Sequence, residues 1–288
     1  MKRFLIFLIP AMILISIQSC KRKIAEIGVT PDVKFSDSPL TDFLFTEIEY
    51  SWKLKENFKG LKRNYWVFTH FSDRHKNMIL QDDHLPPVKT TKWKKEMGEI
   101  KYKREIFIPR FIDEFDPSFK GEEIVKLTIG LHNPMNKHGK DKYTLLIKKI
   151  KILPPPYDTP EVIYESGWHN EERDVRLNKV WRWTEKEAVC SIDNPHRPAK
   201  LIIKGGVNKS VFKDQKVQIN FNGKVLEEFI PETGDFEKRF ELTTEDMGSA
   251  DELKLVISTD KTFTPANLDP KSTDTRELGV MIFLIYFR

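Results

Sequence analysis

Cysteine is nearly missing from this sequence of 288 residues, which holds two, Cys20 and Cys190. A disulfide framework of the kind that staples small secreted domains is therefore excluded, and so is a zinc site built on cysteine pairs. No sign of charge dominates either, with 48 basic against 43 acidic residues mixed along the whole length. Such a balance makes no case for nucleic acid as a partner. Glycine is sparse, at 13 residues, and no phosphate loop, dinucleotide fingerprint or nucleophile-elbow serine occurs, so no cofactor is implied. Long apolar runs are absent after residue 15, and no segment carries the period of a long amphipathic helix. Packing of sheet on sheet is then the natural way to bury a core.

What is present begins with a leader. Lys2 and Arg3 precede an almost unbroken apolar run from Phe4 to Ile15, closed by Ser16-Ile17-Gln18-Ser19-Cys20. About a dozen apolar residues fall short of the roughly 20 that cross a bilayer, so the run reads as an export signal. Ile17 three places before the cysteine, and small Ser19 just before it, resemble the lipobox of bacterial lipoproteins. That resemblance implies a signal peptide over residues 1–19 and acylation of Cys20, with palmitate among the chains, as the new N-terminus. The mature protein is then expected to be a lipoprotein, anchored to a membrane of the cell envelope. Lys21 is not the aspartate that commonly retains such proteins in the inner membrane, which favours the outer membrane where the cell has one. The alternative is an ordinary cleaved signal with an incidental cysteine. Loss of Lys2 and Arg3 leaves 46 basic and 43 acidic residues. Lys21-Arg22-Lys23 beside the lipid suits anionic headgroups, at about 1 kcal/mol per basic residue.

Residues 20–38 show no periodicity and read as a flexible tether. The strongest internal break is Leu153-Pro154-Pro155-Pro156-Tyr157-Asp158-Thr159-Pro160, whose prolines lack backbone donors and stop any sheet. This linker, residues 154–160, separates a first domain over 39–153 from a second over 161–288. Both halves alternate with period two: Thr46, Ile48, Tyr50 and Trp52; Tyr65, Val67, Thr69 and Phe71; Val125, Leu127, Ile129 and Leu131; then Val217, Ile219 and Phe221, and Leu253, Leu255 and Ile257. Such spacing places each set on one face of a half-buried strand. Tyr143 to Ile152 forms a further strand, and Asn222-Gly223 between apolar runs marks a hairpin, since both turn positions need positive φ. Val280 to Phe287, apolar on both faces, is a central strand. The expected fold is all-β: two tandem β-sandwiches, Ig-like or jelly-roll-like. Cys190, in an apolar stretch, is a buried and inert thiol.

Scattered motifs add a resemblance. Val67 to Asp73, Gln81 to Pro87, Thr91-Lys92-Trp93 with Glu96, then Gly167-Trp168, Trp181-Arg182-Trp183, Thr262 to Ala266 and Arg276 to Val280 are similar to accessory β-sandwiches of bacterial envelope proteins and membrane glycosyltransferases. The resemblance implies an accessory module of carbohydrate-binding-like type, with no catalytic residue to carry over.

Three constellations carry chemistry. His70, Asp73, His75, Asp82, Asp83 and His84 offer imidazole and carboxylate ligands, with Asp82 and Asp83 the candidates for calcium; a polar turn between strands accounts for the same composition. Trp168, Trp181, Arg182 and Trp183 form a candidate ligand-binding group. Period two puts Trp181 and Trp183 on one face, either as core or as a platform for sugar rings, with Glu165, Glu171 and Glu172 nearby. Asp113, Glu114 and Asp116 are the remaining acidic cluster, without the fixed spacing that glycoside hydrolysis needs. The expected class is a non-catalytic, lipid-anchored envelope protein that binds a polysaccharide or a protein partner; a carbohydrate-active hydrolase and a ligand-free scaffold are the alternatives. If Cys20 is the acylated residue, labelled palmitate enters the full chain and fails to enter Cys20→Ser; equal labelling of both would overturn the assignment.

Overall fold

The computed structural model describes residues 24–136, 141–174 and 179–288; the leader and Cys20 lie outside them. The chain divides into two compact units, the first ending at Pro155 and the second starting at Pro156. The division falls inside the proline-rich stretch.

The first unit holds β1 (Val29–Phe35), β2 (Leu44–Leu54), β3 (Trp66–Ser72), β4 (Met78–His84), β5 (Glu99–Ile108), β6 (Glu123–His132) and β7 (Lys142–Ile152). They make a three-stranded sheet, β1-β2-β5, facing a four-stranded sheet, β4-β3-β6-β7. Each strand pair is antiparallel. Period two decides which side chains meet: Ile48, Tyr50 and Trp52 of β2 and Val125, Leu127, Ile129 and Leu131 of β6 are all fully buried. Trp93, from the loop before β5, packs against Trp52 with ring centroids 5.4 Å apart.

One expectation is corrected here. The flexible tether expected over residues 20–38 is, from residue 25 onward, part of the sandwich. Ala25 donates its N–H to Thr144 O of β7 at 2.8 Å, and Val29 and Val33 of β1 are buried. The strand was hidden by Pro31, which breaks the look of a β run. Proline is tolerated because β1 pairs on one side only, with β2.

The second unit holds β8 (Val162–Tyr164), β9 (Glu172–Asp174), β10 (Lys179–Trp183), β11 (Glu187–Asp193), β12 (Ala199–Gly206), β13 (Val217–Phe221), β14 (Lys224–Phe229), β15 (Asp235–Leu242), β16 (Glu252–Thr259) and β17 (Met281–Phe287). Two five-stranded sheets result, β15-β12-β17-β10-β9 and β14-β13-β16-β11-β8. Their facing residues form the second core, including Leu201, Ile203, Ile219, Phe221, Leu255, Ile257, Ile285 and Phe287. β17 is central, between β12 and β10, which is why its sequence is apolar on both faces. Asn222 and Gly223, with φ of 49° and 79°, turn the chain between β13 and β14. Cys190 of β11 is fully buried, and burial pushes its thiol pKa up to about 12, as an inert thiol requires.

Gly130 in β6 marks a tight point of the first sandwich. A β-carbon there would stand 1.9 Å from Tyr143 O and 2.6 Å from the Phe68 ring, beside a bulge in the β6–β7 register. Backbone cannot yield as a side-chain tip does. Gly130→Ala is expected to destabilise the first unit by at least about 2 kcal/mol, read as a shifted urea midpoint at unchanged m-value; an unshifted midpoint would show that the strands relax freely.

Candidate functional site

The carboxylates considered for a cation are neighbours on β4, and a strand sends neighbours to opposite faces. Asp82 lies opposite Thr69 and Asp83 opposite Phe68. Asp82 therefore points between the sheets and Asp83 away from them. No single ion can use both, which corrects the pairing of Asp82 with Asp83 in a calcium site.

Each is instead consumed by protein partners. Arg104 of β5 grips Asp82 with both arms, Nη2 at 2.9 Å from Oδ1 and Nε at 3.0 Å from Oδ2. His84 Nδ1 stands 3.0 Å from Asp82 Oδ2, and the Tyr50 hydroxyl lies 2.9 Å from Thr69 Oγ1 and 3.2 Å from Asp82 Oδ2. His84 Nε2 reaches the Tyr102 hydroxyl at 2.9 Å. Burial opposes the charge on Asp82, but His84 and Arg104 outweigh it and hold the carboxyl at about 2. A cation at Asp82 would have to displace a bidentate guanidinium. On the outer face, Asp83 Oδ1 lies 3.0 Å from His70 Nε2, and its Oδ2 accepts from Gln81 Nε2 at 2.8 Å and stands 3.5 Å from His132 Nε2. Burial again opposes the charge, and these neighbours hold Asp83 below the usual carboxylate range. Asp73 is spent on its turn, accepting from Asn77 N at 2.7 Å, and His75 is exposed at the same turn. Among the described residues no group of three or more His, Cys, Asp or Glu is arranged to hold a metal.

The tryptophan group is also divided. On β10, Trp181 lies opposite Glu172 of β9, and Trp183 opposite Met281 of β17. Arg182 lies opposite Ile282, a core residue, so it turns inward while Trp181 and Trp183 share the outer face. Of the two positions open to the pair, core or platform, a shared platform is not formed. Trp183 is buried, with the Phe263 ring edge-on at 5.7 Å. Trp168 sits at the seam between the sheets, donating its indole N–H to Val189 O at 2.7 Å and meeting Tyr164 edge-on at 4.9 Å. The Arg182 guanidinium covers the Tyr164 ring at 4.8 Å and stands 3.6 Å from Glu171. Trp168 and Trp181 both keep partly open positions; the Trp181 indole nitrogen is buried without a hydrogen-bond partner.

Trp181 has surroundings that local sequence did not announce. Arg276 binds Glu172, its cross-strand neighbour's carboxylate, through Nη1 at 2.7 Å, and Asp274 through Nε and Nη2 at 2.9 and 2.7 Å. Lys179, on the same face two residues away, lies over the Phe283 ring at 5.2 Å. A partly exposed aromatic ring bordered by a fixed acid–base array results. The acidic loop of the first unit has structural duties: Asp113 accepts from Phe115 N at 3.0 Å, and Asp116 from Ser118 N and Arg74 Nη2 at 2.8 and 2.7 Å.

Arg104 had a legible signal that the sequence reading missed. Ile100, Tyr102, Arg104, Ile106 and Ile108 share one register of β5, and an arginine in an inward register demands a carboxylate across the seam. The linked pKa gives a signed expectation. Asp82 is depressed in the folded state, so its stabilising contribution is complete above the unfolded value near 4 and fades as pH falls toward about 2. Partly screened by solvent, it amounts to on the order of 1–2 kcal/mol. In chemical unfolding, wild type should lose stability across that window, and Asp82→Asn, less stable at pH 7, should lose less; parallel curves would refute the pairing.

No protein-family model matches this sequence, and no curated protein is similar to it. Solved structures match it weakly. A β-glucuronidase of Bacteroides uniformis is 9% identical over 90% of this chain and 30% of its own, at a TM-score of 0.26. The CBM51-2 domain in complex with GlcNAc and the INT domains of Clostridium perfringens ZmpB are 10% identical over 59% of this chain and 39% of theirs, at 0.22. A Salmonella alpha-2-macroglobulin is 7% identical over 83% and 17%, at 0.27. This chain spans well under half the length of each, and no residue or activity carries over from them.

Proposed function

We propose that this chain is a non-catalytic binding protein of the bacterial cell envelope, held to a membrane by lipid on Cys20. Its second sandwich takes a polysaccharide against the face around Trp181. The observation that carries the reading is the Trp181 ring, partly open, with Glu172 opposite it and Arg276, Asp274 and Lys179 around it. Sugar rings offer an apolar face to an aromatic ring and hydroxyls to charged groups at its border, and this array supplies both. Catalysis is no part of this reading: Asp73, Asp82, Asp83, Asp113, Asp116, Glu172 and Asp274 serve ion pairs and turns, and none of the arrangements described sets two carboxylates across a cleft.

A protein partner is the second reading, favoured by β8. This strand closes one edge of its sheet and pairs with β11 alone; it exposes Ile163 and Tyr164, the pattern onto which an extended segment of another chain can add.

The leaderless chain carrying Cys20→Ser, presented to an array of bacterial and environmental glycans, should retain a defined set. Trp181→Ala should weaken that binding roughly tenfold or more, equal to about 1.4 kcal/mol, with an unchanged circular-dichroism melt. Trp183→Ala is the wrong probe, because Trp183 packs against Phe263 and its loss disturbs the fold. No retained glycan, or equal binding by Trp181→Ala, would refute the polysaccharide reading.

A further inference from the structure

The two ends of the first sandwich differ in charge. The chain enters at the end where β2, β4 and β6 finish and β3, β5 and β7 begin. Residues 24–28 lead into β1 there, tied down by Ala25 N to Thr144 O at 2.8 Å and Lys55 N to Gly28 O at 2.9 Å. Two loops gather beside this entry, residues 55–65 and 85–98, with eight basic and two acidic side chains between them, all exposed. Arg63 pairs with Asp141 and Lys95 with Glu56. Lys55, Lys59, Lys62, Lys89, Lys92 and Lys94 are in no ion pair among the described residues. The opposite end, made by residues 36–43, 73–77 and 109–122, has seven acidic and four basic side chains.

Exposed apolar side chains share this end, Leu85 and Met97 in the second of these loops and Ile24 and Met135 in neighbouring segments. Ile24 is 48% exposed, Leu85 55%, Met97 44% and Met135 88%, and all four belong to the entry end. Lysines interleaved with exposed aliphatic and thioether side chains are the composition of a surface that lies on anionic lipid, charge meeting headgroups and apolar tips entering the interface. An acidic protein would be served by the charge but has no use for four separate apolar tips.

Chain length sets the distance. Cys20 precedes Ile24 by four residues, and four residues reach at most about 14 Å when fully extended. A lipid on Cys20 therefore brings the entry end, and not the acidic end, to the bilayer. We infer that the entry end of the first sandwich is a membrane-contact surface that lies on an anionic lipid face, with residues 55–65 and 85–98 in the headgroups. The inference builds on the lipid anchor and is independent of what the second sandwich binds.

The test uses the leaderless chain with Cys20→Ser, so that no acyl chain contributes. It should partition onto vesicles containing phosphatidylglycerol, weaken as salt rises, and ignore vesicles of phosphatidylcholine alone. Reversing Lys59, Lys62, Lys92 and Lys94 to glutamate should weaken partitioning roughly tenfold or more. Lys76→Glu with Lys120→Glu, at the opposite end, should leave it unchanged. An environment-sensitive dye on Met97→Cys should shift to the blue on the vesicles, and the same dye on Phe115→Cys, at the acidic end, should not; Cys190 is fully buried and does not compete for the label. No partitioning, partitioning untouched by the four reversals, or a shift at Phe115→Cys alone would overturn the surface. A Cys20→Ser chain that behaves as expected, from a parent that takes up no palmitate, would dispose of the anchor and leave the surface standing.

Discussion

Two sheets laid face to face bury their inner side chains well, but they leave open seams where their edge strands run side by side. Water reaches the core there unless something closes the gap, and each closure must satisfy its own polar groups. In the first sandwich the seam between β4 and β5 is closed by Asp82 and Arg104, with His84, Tyr50 and Tyr102 completing the network. In the second, Lys238 lies over Phe229 and pairs with Glu227 between β15 and β14. Arg182 lies over Tyr164 beside Glu171 at the other seam. Each closure sets a long cationic side chain against an aromatic ring or a carboxylate, so that the aliphatic stem covers the core and the head stays paired.

This solution explains why so many residues of functional type have structural work. Histidines, acids and tryptophans lie together in the sequence around residues 70–84 and 165–183 because edge strands and their turns lie there. Asp82 faces Arg104, and Trp168 gives its indole hydrogen to Val189 O. Trp181 is partly open, as Trp168 is, and Arg276 holds the acids beside it in place. The place proposed for a ligand is what the seams leave unused.

A similar economy separates the ends of the first sandwich. Strand ends bring loops together regardless of their separation in sequence, and here residues 55–65 and 85–98 arrive at the same end because β2 and β4 finish there. The charge difference between the ends is not visible in the net charge of the chain, where it largely cancels.

Much of the fold was legible in the sequence. Ile48, Tyr50 and Trp52, or Leu253, Leu255 and Ile257, have a period of two that only a half-buried strand explains, and Asn222-Gly223 supplies the positive φ that a hairpin turn needs. These are local properties, fixed by the alternation of side chains along a strand and by backbone sterics. β1 escaped because Pro31 masks its pattern, and only its edge position makes the proline acceptable. The candidate site was less legible. Sequence alone drew Asp82 and Asp83 together as neighbours, and the pleat of β4 separated them. Arg276 joins Glu172 across 104 residues, and no local rule reports a contact at that distance. Sequence determined which residues face inward, because that depends on near neighbours; tertiary structure decided which charged and aromatic groups meet, because that depends on which strands become neighbours.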